Sequence, residues 1–422
     1  MDFIKRSFAM DPLIFHVDVN SAYLSWEAAR RVANGETDLR RIPSAVGGDR
    51  QKRTGVILAK SIPAKKYNIK TGEPVAMALR KCPQLVLVKP DFRLYERNSK
   101  AFMDLCRRYA PVVEKYSIDE CFLDMTGTHM LYPDPVQIAT RIKNEIRDTL
   151  GFTVNVGIGS NKLLAKMASD FEKPDKVHTL FDWEIPAKLW PLPVDDLFTV
   201  GGATAQRLKK AYILTIGDLA KTELGKLQTI VGKKWGQQLH DYANGISHSP
   251  VRSQPEEVKG YSNSITLEQD VTSVETANQI LLALAESVAS RIRSGRDKAL
   301  CISVTIRGND FKDRSHQKKL AEPTDITAEI YQVAEQLFAE LWDRRTPLRL
   351  LGISLTNLTK EDFAQQTLFS NQTRDRERKL DKAVDRLRDK FGIDTISRGA
   401  LLHSDLAVGK KFRSPSGKKR EK

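Results

Sequence analysis

This chain has little cysteine and no long apolar run. Its four cysteines, Cys82, Cys106, Cys121 and Cys301, lie far apart, and no CxxC pair occurs. That spacing excludes a disulfide-stapled scaffold and argues against structural zinc, leaving reduced, buried thiols of a cytosolic protein. No uncharged apolar stretch is long enough to cross a bilayer. Asp2, Lys5, Arg6 and Asp11 interrupt the apolar core that a signal peptide needs, so a cytoplasmic protein is expected. No internal repeat is present. What the chain has in excess is positive charge, 68 Lys and Arg against 53 Asp and Glu, a net +15. Such an excess is a footprint for polyanions, nucleic acid first and an anionic membrane surface second. At 422 residues and 41% hydrophobic content the chain exceeds one ordinary core, and about three domains are expected.

Against that background one stretch stands out, Tyr116-Ser117-Ile118-Asp119-Glu120-Cys121-Phe122-Leu123-Asp124. Apolar residues on both sides of two adjacent acids predict two short strands joined by a tight turn that carries the carboxylates. By itself an Asp-Glu pair is most often a solvated turn. Far upstream, Ile14-Phe15-His16-Val17-Asp18-Val19 predicts another strand with a single acid inside it. A carboxylate in an apolar run is expensive unless it is paired or metal-bound. Three acids brought together from distant sequence suit a pair of hard cations such as Mg²⁺, which can serve both oxygens of a phosphoryl transfer.

His16-Val17-Asp18-Val19-Asn20-Ser21-Ala22-Tyr23-Leu24-Ser25-Trp26-Glu27, together with Ser117-Ile118-Asp119-Glu120, resembles the Y-family (translesion) DNA polymerases. Asn20 and Ala22 depart from the family's commonest pattern and look nearer the UmuC-like than the DinB-like branch. The resemblance implies an α+β multidomain right hand. Its palm would span 12–22 and 88–180, its fingers 23–87 and its helix-hairpin-helix thumb 181–246. A linker at 247–260, a little finger at 261–362 and a basic tail at 363–422 would follow. It also implies two Mg²⁺ ions held by Asp18, the backbone carbonyl of Val19, Asp119 and Glu120. Tyr23 becomes the steric gate against ribose. Lys65 and Lys166 contact the nucleotide's phosphates, with Lys162 a weaker candidate. The substrates would be primer-template DNA and a dNTP, and synthesis would be error-prone.

The remaining segments read as follows. Pro63 suits the first turn of a short helix ending near the lysines, and Lys65 stands where the family often has Arg. Ile138 to Leu150 is amphipathic. Ser160 can cap a helix on which Lys162 and Lys166 share a face. Leu197 to Lys209 resembles a helix-hairpin-helix, in which Gly201 and Gly202 expose backbone N–H groups to a DNA phosphate beside Lys209. Beyond 260, strands are expected at 264–268, 299–307 and 348–357 and helices at 273–293 and 324–343. Arg307, with Arg291, Arg293, Arg296 and Lys298, could meet duplex phosphates. The tail carries 16 Lys and Arg against 8 Asp and Glu, so it is a basic arm. Gln365-Gln366-Thr367-Leu368-Phe369 resembles the bacterial sliding-clamp-binding peptide, with Gln365, Leu368 and Phe369 as anchors. Leu380, Val384, Leu387 and Phe391 mark one face of a helix, expected to pack on the little finger or on a partner. Accessory SOS proteins or a recombinase filament are further possible partners by resemblance, and a membrane is not. Two rivals stand beside the polymerase reading: a non-catalytic DNA- and clamp-binding scaffold, and another two-metal palm enzyme such as a nucleotide cyclase.

Overall fold

The computed structural model describes residues 12–49, 55–254, 256–360, 371–392 and 395–401. These fall into two compact units, one within Met1–Gly48 and Val56–Pro255, the other within Asp49–Gly55 and Glu256–Lys422.

The first unit opens with β1 (Ile14–Val19), every residue of which is buried, and α1 (Ala22–Ala33). Ser21 stands at the N-cap of α1, but in the left-handed region at φ 48°, and its side chain caps nothing. A small sheet of β2 (Ser44–Gly47), β3 (Ile57–Lys60) and β4 (Val86–Val88) follows, with the short helices α2 (Ile62–Lys65) and α3 (Val75–Lys81). Ile57, Ile69 and Val75 form its separate core. Next come α4 (Phe92–Cys106), β5 (Val112–Lys115), β6 (Glu120–Asp124), α5 (Pro135–Leu150), β7 (Val154–Gly159), α6 (Lys162–Asp170) and β8 (Val177–Leu180).

The five long-range strands form one sheet in the order β5-β6-β1-β7-β8, with β1 antiparallel to both neighbours. Because strand side chains alternate, the two faces of this sheet differ completely. One face carries Phe15, Val17, Cys121, Leu123, Val156 and Ile158 into a core shared with Trp26, Phe102 and Ile142. The other face presents His16, Asp18, Glu120, Asn155 and Gly157, and α6 lies across it. That contact needs glycine: a Cβ on Gly157 would stand 2.0 Å from the Ala165 carbonyl oxygen and 2.3 Å from the Ser169 nitrogen. Asn161, not Ser160, caps α6, its side chain accepting from the Leu164 N–H at 3.0 Å. The far side of α6 sends Leu163, Leu164 and Met167 into the core of a helical module. That module holds α7 (Gly202–Lys210), α8 (Ile216–Lys221), α9 (Leu224–Val231) and α10 (Lys233–Ala243).

The second unit runs β9 (Gly260–Val271), α11 (Val274–Ser294), β10 (Lys298–Gly308), β11 (Asp313–Thr324), α12 (Thr327–Leu341) and β12 (Leu348–Thr359). Its antiparallel sheet has the order β11-β10-β12-β9. Ile302, Val304, Ile306, Leu351 and Ile353 point into the core beneath α11 and α12. The alternate positions, Ser303, Thr305, Ser262, Ser264 and Ser354, line the opposite face with hydroxyls. β11 gave no strand signal in the sequence because its first seven residues are all exposed, so no apolar alternation marks it.

The last helix, α13 (Asn371–Phe391), packs on this unit as expected. Its apolar stripe packs only in part: Leu380 and Val384 border a cavity with Arg293, Thr327 and Ile396 of this unit, while Leu387 and Phe391 stand 39% and 60% exposed. The rest of the docking is by charge. Arg293, 7% exposed, meets Asp381 at 3.1 Å and Asp385 at 2.7 Å, and Asp381 also accepts from the Thr327 N–H at 2.8 Å. Arg374 pairs with Glu329 at 2.6 Å and with Glu322, and Arg378 pairs with Asp325 at 3.0 Å.

Candidate active site

Antiparallel register brings the three acids together. Asp18 and Glu120 are direct cross-strand partners, and the Val19 N–H donates to the Asp119 carbonyl at 3.0 Å. Distant stretches of sequence thus deliver Asp18, Asp119 and Glu120 to the same end of two paired strands. The turn between β5 and β6 is closed by the Tyr116 and Ser117 N–H groups, both donating to the Glu120 carbonyl. Within it the Ser117 hydroxyl donates to the Asp119 carboxylate at 2.6 Å.

Each strand carboxylate has its own cation. Lys166 Nζ lies 2.7 Å from Glu120 Oε2, and Lys173 Nζ is bonded to Asp18 Oδ2. Lys173 also holds Asp170 at 2.7 Å. Burial pushes Asp18 up to about 6, against the pull of Lys173. Burial acts in the same direction on Glu120, but His16 and Lys166 outweigh it and bring that carboxyl down to about 2. Burial works against the charge of Lys173, yet Asp18 and Asp170 push it up to about 12. Two neighbouring carboxylates are therefore driven apart by their surroundings.

Beneath them lies a buried polar layer. His16 is fully buried; its Nδ1 meets the Ser169 hydroxyl at 2.8 Å and its Nε2 lies 3.4 Å from Glu120. Ser169 Oγ also donates to the Lys166 carbonyl at 2.8 Å. Asn20 Nδ2 donates to Asn155 Oδ1 at 3.0 Å, and Asn20 Oδ1 accepts from the Asp175 N–H at 3.0 Å. Asn155 in turn donates to the carbonyls of Ser169 and Glu172, at 3.0 and 2.7 Å. This network ties β1, β7 and the end of α6 into one block.

Tyr23 projects from α1, its ring stacked on Tyr95 at 4.6 Å with Trp26 and Phe92 alongside. Burial and the charge of Asp119 both raise its pKa, so its phenol stands within electrostatic reach of the acid turn. Tyr95 donates its hydroxyl to the buried carboxylate of Glu27 at 3.0 Å. Lys65 is the exposed last residue of α2 and, among the described residues, makes no ion pair with the acids. Lys162 is committed to Glu114 at 2.6 Å. Gly201 and Gly202 are exposed at the start of α7, with nothing within 4 Å of a Cβ built on either. Lys209 is paired with Asp195 at 2.8 Å, and Arg307 with Asp313 across β10 and β11 at 2.8 Å through Nη2. Gln365, Leu368 and Phe369 lie outside the described residues.

Sequence reasoning missed His16 and Lys173. His16 carried a signal, because an imidazole two residues before Asp18 in a strand must share its face. Lys173 follows α6 in an irregular segment and carried none. Among the described residues no three His, Cys, Asp or Glu side chains are gathered as a ready-made metal shell. The three acids are instead turned to Lys173, Ser117 and Lys166. Their oxygen-only chemistry and adjacent backbone positions fit a hard divalent cation. No helix among the described residues is long and apolar enough to cross a membrane.

Comparison with known proteins agrees with this geometry. The impB/mucB/samB family matches residues 17–170 and its C-terminal domain residues 258–368; the thumb domain described for DNA polymerase-iota matches residues 195–247. A protein of Clostridium acetobutylicum named DNA polymerase IV is 45% identical over 397 residues, spanning 94% of this chain and 100% of that protein. A DNA polymerase IV of Acetivibrio thermocellus is 37% identical, over 93% of this chain and 98% of the relative. Among solved structures, a Y-family DNA polymerase chimera matches with a TM-score of 0.71 at 24% identity, covering 83% of this chain and 100% of that one, which establishes the fold. The chain belongs to the impB/mucB/samB family and is a Y-family DNA polymerase.

The expected leaning toward the UmuC-like branch is not upheld, since these relatives are named DNA polymerase IV. The two residues that suggested it have local work. Asn20 is part of the buried amide network, and Ala22 is buried at the start of α1.

Proposed function

We propose that the enzyme extends a primer on a DNA template by two-metal nucleotidyl transfer from a dNTP, and that its synthesis is error-prone. The observation that carries this reading is the cross-strand register of Asp18 with Glu120 beside the Asp119 turn. Asp18, Asp119, Glu120 and the Val19 carbonyl would hold two Mg²⁺. When bound, such ions lower the pKa of the attacking hydroxyl and offset the charge of the leaving group. Around them the chain's own residues do the positioning. Lys166 sits on Glu120 and reaches toward incoming phosphate charge, with Lys65 supplying a second, solvent-facing cation. Tyr23, backed by Tyr95, forms a wall that a ribose 2′-hydroxyl would strike. Gly201 and Gly202 leave backbone N–H groups open to a template or primer phosphate, supported by their exposure and ordinary φ.

In this reading the sheet of β1 and β5–β8 is the palm, the small sheet the fingers, α7–α10 the thumb and the second unit the little finger. The hydroxyl face of that unit and Arg307 would face duplex backbone. Gln365, Leu368 and Phe369 are proposed as the sliding-clamp anchor, and the enzyme is proposed to act in the cytoplasm. The test is primer extension with Mg²⁺: Asp119→Ala and Glu120→Ala abolish it while duplex affinity persists. Extension at the wild-type rate in either variant would overturn the metal roles. It would favour a scaffold.

A further inference from the structure

Lys166 is held from three sides. Its ammonium lies 2.7 Å from Glu120, 5.0 Å from the centre of the Tyr116 ring and 5.5 Å from the centre of the Phe198 ring. Both rings are within the roughly 6 Å over which a π face attracts a cation. They come from separate places. Tyr116 leads into the acid turn, whereas Phe198 belongs to the loop before α7, just ahead of Gly201 and Gly202. Phe198 is itself fixed: it stacks on Tyr242 of α10 at 6.4 Å, and its N–H donates to Met167 Sδ at 3.4 Å. Thr199, next in the chain, stands in the left-handed region at φ 77°, a strained backbone for a β-branched residue. Such strain persists only where the surroundings over-determine it, and it clusters at functional sites.

A lysine on its flexible stem has many rotamers, and fixing one of them costs free energy. Glu120 supplies part of that restraint, but a Glu120 that ligates metal gives up part of its hold. The rings ligate nothing and keep theirs. A π face also attracts the ammonium without neutralising it, so the full positive charge stays available to a phosphate. We propose that Phe198 is a positioning residue for nucleotide binding: with Tyr116, its ring holds the Lys166 ammonium where it meets the triphosphate of the incoming dNTP. The inference rests on the reading of Lys166 as a phosphate contact, and the experiment separates the two.

Single-turnover primer extension with the full-length enzyme reads dNTP affinity and maximal rate separately. Phe198→Leu keeps an apolar side chain but loses the π face. It should weaken dNTP affinity at least about fivefold and change the maximal rate less than about twofold. Duplex affinity, read by fluorescence anisotropy, should stay as it is. Phe198→Tyr, which restores the ring, should recover the dNTP affinity. Where the Leu variant fails to fold, phenylalanines carrying one, two and three ring fluorines at the same position decide the matter. They keep the shape and drain the π face, so dNTP affinity should fall stepwise. In a Lys166→Met background neither change should weaken affinity further, because the cation is gone. Wild-type dNTP affinity in the trifluorinated enzyme, or a loss that persists undiminished beside Lys166→Met, would overturn the inference alone. Lys166→Met with wild-type dNTP affinity would show instead that this lysine does not meet the phosphates, and would remove that reading together with the inference built on it.

Discussion

Lys173 donates to Asp18 while keeping a second carboxylate, Asp170, at 2.7 Å. It therefore occupies the charge position that a divalent ion on Asp18 requires, and has an alternative partner when displaced. Lys173→Gln should tighten Mn²⁺ binding to the nucleotide-free protein. Its side chain is 35% exposed, so screening limits the effect to roughly 1 kcal/mol, or about fivefold. Mn²⁺ titration followed by electron paramagnetic resonance reads this directly. Weaker binding in the variant would mean that Lys173 organises the site instead of competing for it.

The titration of Asp18 sets a pH dependence. Its folded pKa, about 6, lies above the ordinary 3.8, so the fold prefers the protonated form. That contribution is fully present below about 3.8 and is lost as pH rises through about 6. Asp18→Asn should then stabilise the metal-free protein at pH 8, by up to about 3 kcal/mol, and change little at pH 4. Melting curves in EDTA at the two pH values check it. Equal shifts at both would rule out the titration as the cause.

Tyr23 offers a separate measurement. Tyr23→Ala removes a ring stacked on Tyr95 and should admit ribonucleotides to extension. The lost stacking should cost about 1 kcal/mol of stability, visible as a lower melting temperature. Unchanged sugar discrimination would remove Tyr23 from the gate.

Two glycines separate folding from binding. Gly157→Ala drives a methyl into α6 and should destabilise by at least about 2 kcal/mol, taking activity with it. Gly201→Ala meets open space at φ −85° and should leave stability unchanged while weakening duplex affinity. Thermal melts and duplex binding on both variants distinguish the roles; a stable Gly157→Ala enzyme would contradict the packing.

Much of the site could be read from residue order alone. Isolated acids in apolar runs mark strands whose carboxylates need partners, and Asp18, Asp119 and Glu120 meet as that logic requires. Helical spacing put Lys162 and Lys166 on one face of α6, and the family resemblance singled out Lys166. What periodicity cannot convey is direction after an irregular segment, which is why Lys173 was invisible. An amphipathic pattern also names a face without saying which face docks. In α13 much of the docking is by charge, because Arg293, Glu322, Asp325 and Glu329 wait in the second unit to receive it. β11 escaped for a related reason, as an edge strand in water needs no apolar alternation.

The nine residues of α6 join the large sheet to the helical module. Ala165 and Ser169 press on the sheet, Lys166 grips Glu120, and Leu163, Leu164 and Met167 are rooted in the helical module. The helix works as a common axle. A tilt of the helical module would, through these close-packed contacts, shift Lys166 relative to Glu120. If the helical module grips a duplex as proposed, a change of that grip would reach Lys166 without any dedicated hinge.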